Sequence, residues 1–386
     1  MSTAIHEAIA SIPLFADAHG LKVEAQTGVR SLNNSIWVVS TGGSAQRYAV
    51  RLADPASAAH LGIDRVEEAA AARAAASAGL SPELLYHDAS TGTMVTPWIE
   101  DARAPERAEL NDPAMLRRLG ELVRRLHSIS ALPGLPDRPG GAVFRRIRHL
   151  VDDARRSGLE LPPWTGDALR RLADVEAASA ERAVVALSHN DLWENNILAA
   201  GKQLYLVDWE FAGLGDGLYD LATLSMAGGL DARADALLLD AYGLDAHGLD
   251  GAQAVAELES AKWTVRFFEA TWSLVMHGLK GPHDSGFDYA GHASYMFSTL
   301  TEPESEYLRL WASVLQTPIG PDDDLVAAGV DSLRATTLLA RIAEEYGVEL
   351  ELWDLLDAGT PRRVQEIVRE RGGHAAGGSD RTEDPR

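Results

Sequence analysis

The chain contains no cysteine. Disulfides, thiolate nucleophiles and cysteine-held zinc or iron are therefore excluded, which fits a cytoplasmic enzyme. Basic residues are scarce beside acidic ones, 35 Lys and Arg against 57 Asp and Glu, and the formal charge of -22 repels nucleic acid phosphates and anionic lipid. Neither nucleic acid nor a membrane surface is an expected partner. No stretch is apolar enough to span a bilayer, and the opening MSTAIHEAIASIPLF lacks the basic head and long apolar run of a secretion signal. The expected location is the cytoplasm. No internal repeat is found. What is present is 386 residues with 46 % apolar content, too long for one ordinary domain and sufficient for two or three packed cores.

The character of the chain changes three times. Over 21–100, short runs rich in Val, Ile, Trp and Tyr (SIWVVS, RYAVRL, MVTPWI) are bounded by Gly, Ser and Asn, as strands joined by tight turns are. Between them lies VEEAAAARAAASAGLSP, a helix former stopped by Gly79 and the Ser81–Pro82 pair. This gives a small β-rich lobe with one helix, assigned to 1–100. From 101 to 298 the pattern is helical, as in AMLRRLGELVRRLHSI, broken by the strand-like runs VVALSH, NNIL and QLYLVDW. A new amphipathic helical segment occupies 303–372. The tail, 373–386, is too polar and glycine-rich to bury anything and is expected to be disordered.

The stretch HNDLWENNILAAGKQLYLVDWE concentrates groups that bind metals and move protons. VVALSH reads as a strand, HNDLWENN as a turn, and NIL with QLYLVDWE as a hairpin, an arrangement that gathers Asp191, Asn196 and Asp208 around one cleft. A carboxylate beside a substrate hydroxyl can accept its proton. An amide oxygen with a second carboxylate suits Mg²⁺, a hard cation that takes oxygen ligands. The set equips the chain for phosphoryl transfer to an alcohol, in which positioning and charge neutralisation dominate.

HNDLWENNIL followed by LVDWE resembles the signature of the choline/ethanolamine kinase and aminoglycoside phosphotransferase superfamily, which has a two-lobed protein-kinase-like fold of the α+β class. The resemblance covers roughly residues 20 to 297. SLNNSIWVV, with Ser31 and Asn34, resembles the turn over the nucleotide phosphates, and YAVRL the strand whose basic residue, here Arg51, contacts them. IDRVEE resembles the helix whose acidic residue, here Glu68, pairs with that basic one, and TPWIE resembles the hinge between lobes. GLGDGLYDLATL is similar to the segment whose aspartates, here Asp216 and Asp220, act as structural anchors. By this resemblance Asp191 is the catalytic base, Asn196 and Asp208 hold Mg²⁺, Arg51 contacts ATP with Glu68 orienting it, and His189 braces the loop.

Two departures from the family pattern carry information. Ser31 stands where many relatives have glycine, so the backbone there approaches the phosphates less closely. The choline-binding relatives enclose a quaternary ammonium in aromatic rings. Trp272 matches one such ring and Trp193 offers a different wall, but Glu269 falls where a second ring is expected. A carboxylate there suits a primary or secondary amine, which donates hydrogen bonds, better than trimethylammonium, which cannot. The other reading of Glu269 is a solvent-facing acid on its helix.

In PDDDLVAAGVDSLRATTLLARIAEEYGVELELWDLLDAGTPRRVQEIV, Leu338, Leu339, Ile342 and Tyr346 recur at helical spacing, and Thr360–Pro361 supplies a cap and first position for a further helix. GVDSL, with DDDLVAAG before it and WDLLDAGTPRRV after it, resembles the phosphopantetheine attachment site of acyl and peptidyl carrier proteins, a small four-helix bundle. By that resemblance Ser332 is the attachment serine; as a bare local reading, Asp331 and Ser332 cap a helix. The two resemblances together imply an ATP- and Mg²⁺-dependent kinase fused to a carrier with a covalent 4'-phosphopantetheine. Its expected acceptor is a hydroxyl on a small acyl or aminoacyl group held on Ser332, such as a β-hydroxy amino acid, in natural-product biosynthesis. Expected partners are a phosphopantetheinyl transferase, an adenylating or acyl-loading enzyme and a downstream enzyme that accepts the thioester. Two other readings are a kinase for a free amino alcohol with the carrier serving a separate step, and an idle kinase-like module that docks a loaded carrier.

Overall fold

The computed structural model describes residues 3–26, 34–129, 135, 141–181, 185–243, 251–281, 287–300, 304–315, 317, 319–321 and 323–371. Ser31 and the tail 373–386 lie outside the described residues. The chain divides into two compact units, Met1–Ala293 and Ser294–Arg386.

The first unit starts with helix α1 (Thr3–Ala10) and a sheet built from β1 (Lys22–Ala25), β2 (Asn34–Ser40) and β3 (Arg47–Ala53). Helices α2 (Pro55–Leu61) and α3 (Arg65–Ser77) follow, then β4 (Tyr86–Asp88) and β5 (Thr93–Pro97). The sheet is antiparallel with order β1-β2-β3-β5-β4. Val39, Val50 and Val95 are fully buried beneath Ile9, Ile12 and Phe15, so the N-terminal helix and the turn after it close one face of the sheet. Alanines at 69, 71, 72 and 75 let α3 lie close to its neighbours, and the Asp64 side chain caps it by accepting from Val66 N (2.9 Å) and Glu67 N (3.2 Å).

The small lobe has more helix than its sequence pattern suggests. Pro55 occupies the first position of α2, where a missing N–H costs nothing, and the segment then docks against the larger lobe. His60 Nδ1 meets Asp153 at 2.8 Å, the carbonyl of Ala59 accepts from His149 Nε2 at 2.9 Å, and Lys280 Nζ lies 2.5 Å from Asp54. These tertiary contacts stabilise a helix too short to persist alone.

The larger lobe comprises α4 (Arg107–Leu110), α5 (Pro113–His127), α6 (Ala142–Arg156), α7 (Thr165–Glu181), strands β6 (Val185–Ser188), β7 (Ile197–Ala200), β8 (Gln203–Leu206) and β9 (Gly213–Asp216), then α8 (Leu218–Gly228), α9 (Ala232–Tyr242), α10 (Gly251–Lys280) and α11 (Tyr289–Ser298), in which the division between units falls. β6 pairs antiparallel with β9, and β7 with β8. Gly201, with φ +58°, supplies the left-handed backbone that the two-residue turn between β7 and β8 requires. The strand, turn and hairpin expected around the HNDLWENN stretch are all present. The segment after β5 is tied twice: Trp98 N donates to Arg47 O at 2.9 Å, and the Arg47 side chain pairs with Glu100.

The second unit packs α12 (Glu304–Leu315), α13 (Ser332–Tyr346), α14 (Leu352–Ala358) and α15 (Pro361–Glu370) around its own core, in which Tyr307, Trp311, Leu338, Ile342 and Val364 are fully buried. Leu339 and Tyr346 pack against that core partly buried, so the helical periodicity of this segment is the core stripe of α13. Gly347 and Gly359 end α13 and α14 in the left-handed conformation, and Arg363 N donates to the Thr360 hydroxyl at 3.4 Å at the start of α15. Among the described residues no helix is long and apolar enough to cross a membrane. Leu338→Ala should destabilise this bundle by about 2 to 5 kcal/mol through lost burial and a residual cavity, read as a lower urea midpoint for the second unit's own signals.

Candidate active site

The loop after β6 is built around a buried carboxylate. Asp220, in the first turn of α8 and fully buried, accepts from the backbone N of His189 at 2.8 Å and of Asn190 at 2.7 Å, while His127 Nε2 lies 3.0 Å from it. Charge-assisted bonds of this kind are stronger than neutral ones, and here they fix two consecutive loop amides. His189 is also fully buried, packs on Trp209 with ring centroids 4.5 Å apart, and directs Nε2 at Val207 O across 3.0 Å. Burial pushes its pKa down to about 4, so at neutral pH the ring is uncharged and donates through Nε2 to the carbonyl. Asn190 adopts φ +62° and donates from Nδ2 to Phe211 O at 3.0 Å. Asp216 accepts from Leu218 N at 3.0 Å at the start of α8.

Asp191 follows directly. Asn196, in the 3-10 turn Glu194–Asn196, donates from Nδ2 to the Asp191 carboxylate at 2.6 Å and to its backbone carbonyl at 2.8 Å, leaving the amide oxygen for another partner. Val207 N bonds Asn196 O at 3.0 Å, which joins this turn to the end of β8. Asp208 comes next with φ +63°. Arg51 on β3 reaches it: one guanidinium nitrogen pairs with Glu68 and lies 3.2 Å from Asp208, and the other donates to Gly92 O at 3.0 Å. Arg65 lies 2.9 Å from Glu68 and 3.5 Å from Glu210, and Asn34 Nδ2 donates to Glu210 at 3.1 Å. Asp191, Asn196, Asp208, Arg51, Glu68 and Asn34 thus belong to one linked constellation.

Two members of this constellation escaped the sequence reading. Glu210 and Arg65 lie inside quoted segments, LVDWE and IDRVEE, but no local pattern says that they face the cleft. Asp208 leaves the strand period by its left-handed φ, so strand alternation does not place Glu210. Oxygens of Glu68, Asp208 and Glu210 come within 4.8 Å of one another.

That convergence sets the electrostatics. Burial opposes ionisation of Glu68, but Arg51 and Arg65 outweigh it and hold its carboxyl below the usual range. Arg51 is likewise penalised by burial, and Glu68, Asp208 and Glu210 outweigh the penalty and raise its pKa. For Asp208 the balance reverses: burial and then Glu210 push it up to about 7 against the pull of Arg51. Asp191 is raised well above the ordinary carboxylate range by burial and then by Glu269, Asp208 and Glu210, with Asn196 opposing. The group is all oxygen donors with surplus negative charge, the chemistry that a hard divalent cation satisfies. Asp208 and Glu210, whose oxygens converge, fit such an ion, and the Asn196 amide is a further candidate ligand beside Asp208 in the lining of the adjoining cleft.

A cleft of about 200 Å³ opens beside these groups, with Ile36, Ala49, Met94 and Val207 in its apolar walls and Arg51, Asn196 and Asp208 among its lining residues. An apolar slot that ends on a cation and oxygen donors suits a flat heteroaromatic group carrying phosphates. Glu269 on α10 is buried and not on a solvent-facing surface. One of its oxygens accepts from Trp193 Nε1 at 3.3 Å, and the other lies 3.5 Å from His292 Nε2. Trp272, one helical turn further on, joins an aromatic group with Tyr289 (5.7 Å) and Phe287 (6.4 Å). Ser332 lies in the second unit, exposed at the first position of α13 behind Asp331, whose carboxylate accepts from Arg334 N at 2.8 Å.

Residues 27–258 match the model of the phosphotransferase enzyme family, and residues 308–367 match that of the phosphopantetheine attachment site. Protein LicA of Haemophilus influenzae is 28 % identical over 188 residues, 47 % of this chain and 66 % of that protein; a second LicA sequence from this species is matched over 52 % of its length. The chain therefore spans about half to two thirds of the curated relatives that it first matches. The solved choline/ethanolamine kinase family protein from Mesorhizobium loti superposes with a TM-score of 0.60 at 29 % identity, covering 79 % of this chain and 97 % of that one. Polyketide synthase PksN of Bacillus subtilis is 36 % identical over 72 residues, 18 % of this chain and 1 % of that protein.

The raised pKa of Asp208 fixes a sign. Between an unfolded value of about 3.9 and the folded value of about 7, the folded chain holds a proton that the unfolded chain has released, so stability falls as pH rises through this window. The buried neutral His189 acts the opposite way up to about pH 6.5, with or without Asp208. Without divalent cation, therefore, the melting temperature of the chain relative to that of Asp208→Asn should drop from pH 5 to pH 8. Mg²⁺ should restore it at pH 8 and have little effect at pH 5, and Asp208→Asn itself should lack the restoration. Differential scanning calorimetry at the two pH values, with and without Mg²⁺, measures each.

Proposed function

The chain belongs to the phosphotransferase enzyme family, and from that membership we propose that it phosphorylates a hydroxyl on a small aminoacyl group carried by its own phosphopantetheine arm. A phosphopantetheine-attachment unit follows the phosphotransferase region in the same chain. The observation that supports the activity best is the meeting of Asp191, Asn196 and Asp208 beside the Arg51–Glu68 pair. Similarity of the carrier unit to a segment of a polyketide synthase supports a role in natural-product assembly.

In this reading Arg51, oriented by Glu68, contacts the phosphates of ATP, with Asn34 at the start of β2 beside them. Asn196, Asp208 and Glu210 hold Mg²⁺, which when bound neutralises charge on the transferred phosphoryl group. The acceptor hydroxyl gives its proton to Asp191 as its oxygen bonds to the γ-phosphorus and the bond to the ADP oxygen breaks. Asp220, His189 and Asp216 keep the loop and the start of α8 in place. Glu269 receives the acceptor's amine, with Trp193 and Trp272 as walls. A cationic amine there also offsets Glu269, the charge that after burial does most to raise the Asp191 pKa, and so favours the carboxylate that the base requires.

Ser332 bears the arm. A tethered acceptor meets the cleft at an effective concentration in the millimolar range, so little intrinsic affinity is needed. A phosphopantetheinyl transferase, an enzyme that loads the thioester and one that consumes the product are the partners this scheme requires. A second reading, phosphorylation of a free amino alcohol, draws on the likeness to the choline/ethanolamine kinase family protein.

Intact-protein mass spectrometry of the phosphopantetheinylated chain, loaded with serine or threonine, should show one phosphate added to the arm on addition of Mg²⁺ and ATP. Asp191→Ala should load normally and lose about 10² to 10⁴ in rate, the usual cost of removing a positioned base. Ser332→Ala should abolish loading. Equal rates on free and tethered acceptor, retained by Ser332→Ala, would establish the second reading. Glu269→Gln should weaken phosphorylation of an aminoacyl cargo about tenfold and leave its N-acetylated analogue unaffected, as measured by initial rates on the two thioesters.

A further inference from the structure

Arg146, on α6, is buried, and among the described residues it forms no ion pair with a carboxylate. A guanidinium removed from water without such a partner is costly, so its remaining bonds matter. One nitrogen donates to Phe211 O at 2.8 Å, and the guanidinium lies over the Phe211 ring at 5.0 Å. The same carbonyl accepts from Asn190 Nδ2 at 3.0 Å. Two donors from different elements thus share one acceptor, and one of them is the residue immediately before Asp191.

Asn190 is an unusual residue for this bond to hold. Its backbone is left-handed at φ +62°, a conformation that costs a non-glycine residue about 1 kcal/mol and persists only when neighbours fix it. Asp220 fixes its N–H, and the Phe211 carbonyl fixes its side chain. Phe211 in turn needs a hold of its own, since it lies three residues beyond Asp208 in the segment before β9. Arg146 supplies one by a hydrogen bond and ring stacking, and the edge-on contact of Phe211 with Phe268 at 5.3 Å supplies another.

We propose that Arg146 is a positioning residue for Asp191, acting through the Phe211 carbonyl to hold Asn190, and with it the loop, in its left-handed form. Arg146 touches neither acceptor nor nucleotide in this scheme. Its effect passes from α6 to Phe211, from Phe211 to Asn190, and along the backbone to the base. This deepens the phosphotransferase reading and rests on it for the kinetic part of its test.

The test is a double-mutant cycle on the full-length, phosphopantetheinylated chain with Arg146→Ala, Asn190→Ala and the pair. If both act through one carbonyl, each single change lowers kcat by about tenfold or more with KM for ATP and acceptor within about threefold, and the pair is no more than about threefold worse than the worse single. Arg146→Lys, which can still donate to the carbonyl, should recover part of kcat. Multiplying effects, or a raised KM at unchanged kcat, would overturn the proposal. Hydrogen exchange at the His189 and Asn190 amides provides a readout without turnover: both should exchange faster in Arg146→Ala, and in Arg146→Lys if the alanine variant does not fold. Unchanged exchange overturns the proposal, whereas faster exchange in a chain that never phosphorylates any acceptor leaves the positioning role standing and removes the enzymatic reading.

Discussion

Two arginines placed among converging carboxylates are the constraint from which the first unit's architecture follows. Arg51 comes from the sheet, Arg65 and Glu68 from the first turn of α3, and Asp208 and Glu210 meet them from the segment after β8. Neither set tolerates removal from water alone. Glu68 bridges both cations, while Asp208 pairs with Arg51 and Glu210 with Arg65 and Asn34, and the charge of Glu210 works against ionisation of Asp208. Glu68 is thus held by two cations, whereas Asp208, raised by burial and by Glu210, is the carboxylate that added positive charge would favour most. Stability and ligand affinity are linked through the same few atoms.

Backbone strain is distributed along the same line. Among the described residues three non-glycine positions have positive φ; of these, Asn190 immediately precedes Asp191 and Asp208 is itself a member of the carboxylate cluster. Each costs about 1 kcal/mol or more, and each is held by bonds that a relaxed loop would not make. The neutral His189 ring sits between them, hydrogen-bonded to Val207, so the loop and the end of the hairpin keep a fixed spacing. A rigid, strained floor of this kind suits chemistry that depends on position more than on covalent steps.

The legible part of the site was the part encoded locally. Asp191, Asn196 and Asp208 lie within one strand, turn and hairpin, and seventeen residues of spacing carry most of their geometry. Arg51 and Glu68 became legible through resemblance, because the sheet and helix that bear them recur in relatives. Glu210 and Arg65 stayed hidden although adjacent to quoted residues, since a left-handed backbone and a tertiary ion pair, not a periodic pattern, aim them inward. The direction of Glu269 was open for the same reason: α10 packs on several neighbours, and a long helix with apolar residues on more than one side does not announce which face an acid occupies. Helix α2 was missed because its stability comes from His149, Asp153 and Lys280, all distant in sequence.

Those distant ties bear on how the cleft moves. The small lobe is joined to the large one by the covalent segment after β5 and by the three polar contacts around α2. Between these, Leu206 N donates to Leu80 O at 2.7 Å, Trp209 Nε1 donates to the Ser81 hydroxyl at 3.1 Å, and Arg51 lies 3.2 Å from Asp208. A body tied at so many separated points cannot swing about a single hinge. Arg51 and Glu68, which bracket α2 in the chain, are thereby kept in register with Asp208 across the cleft floor.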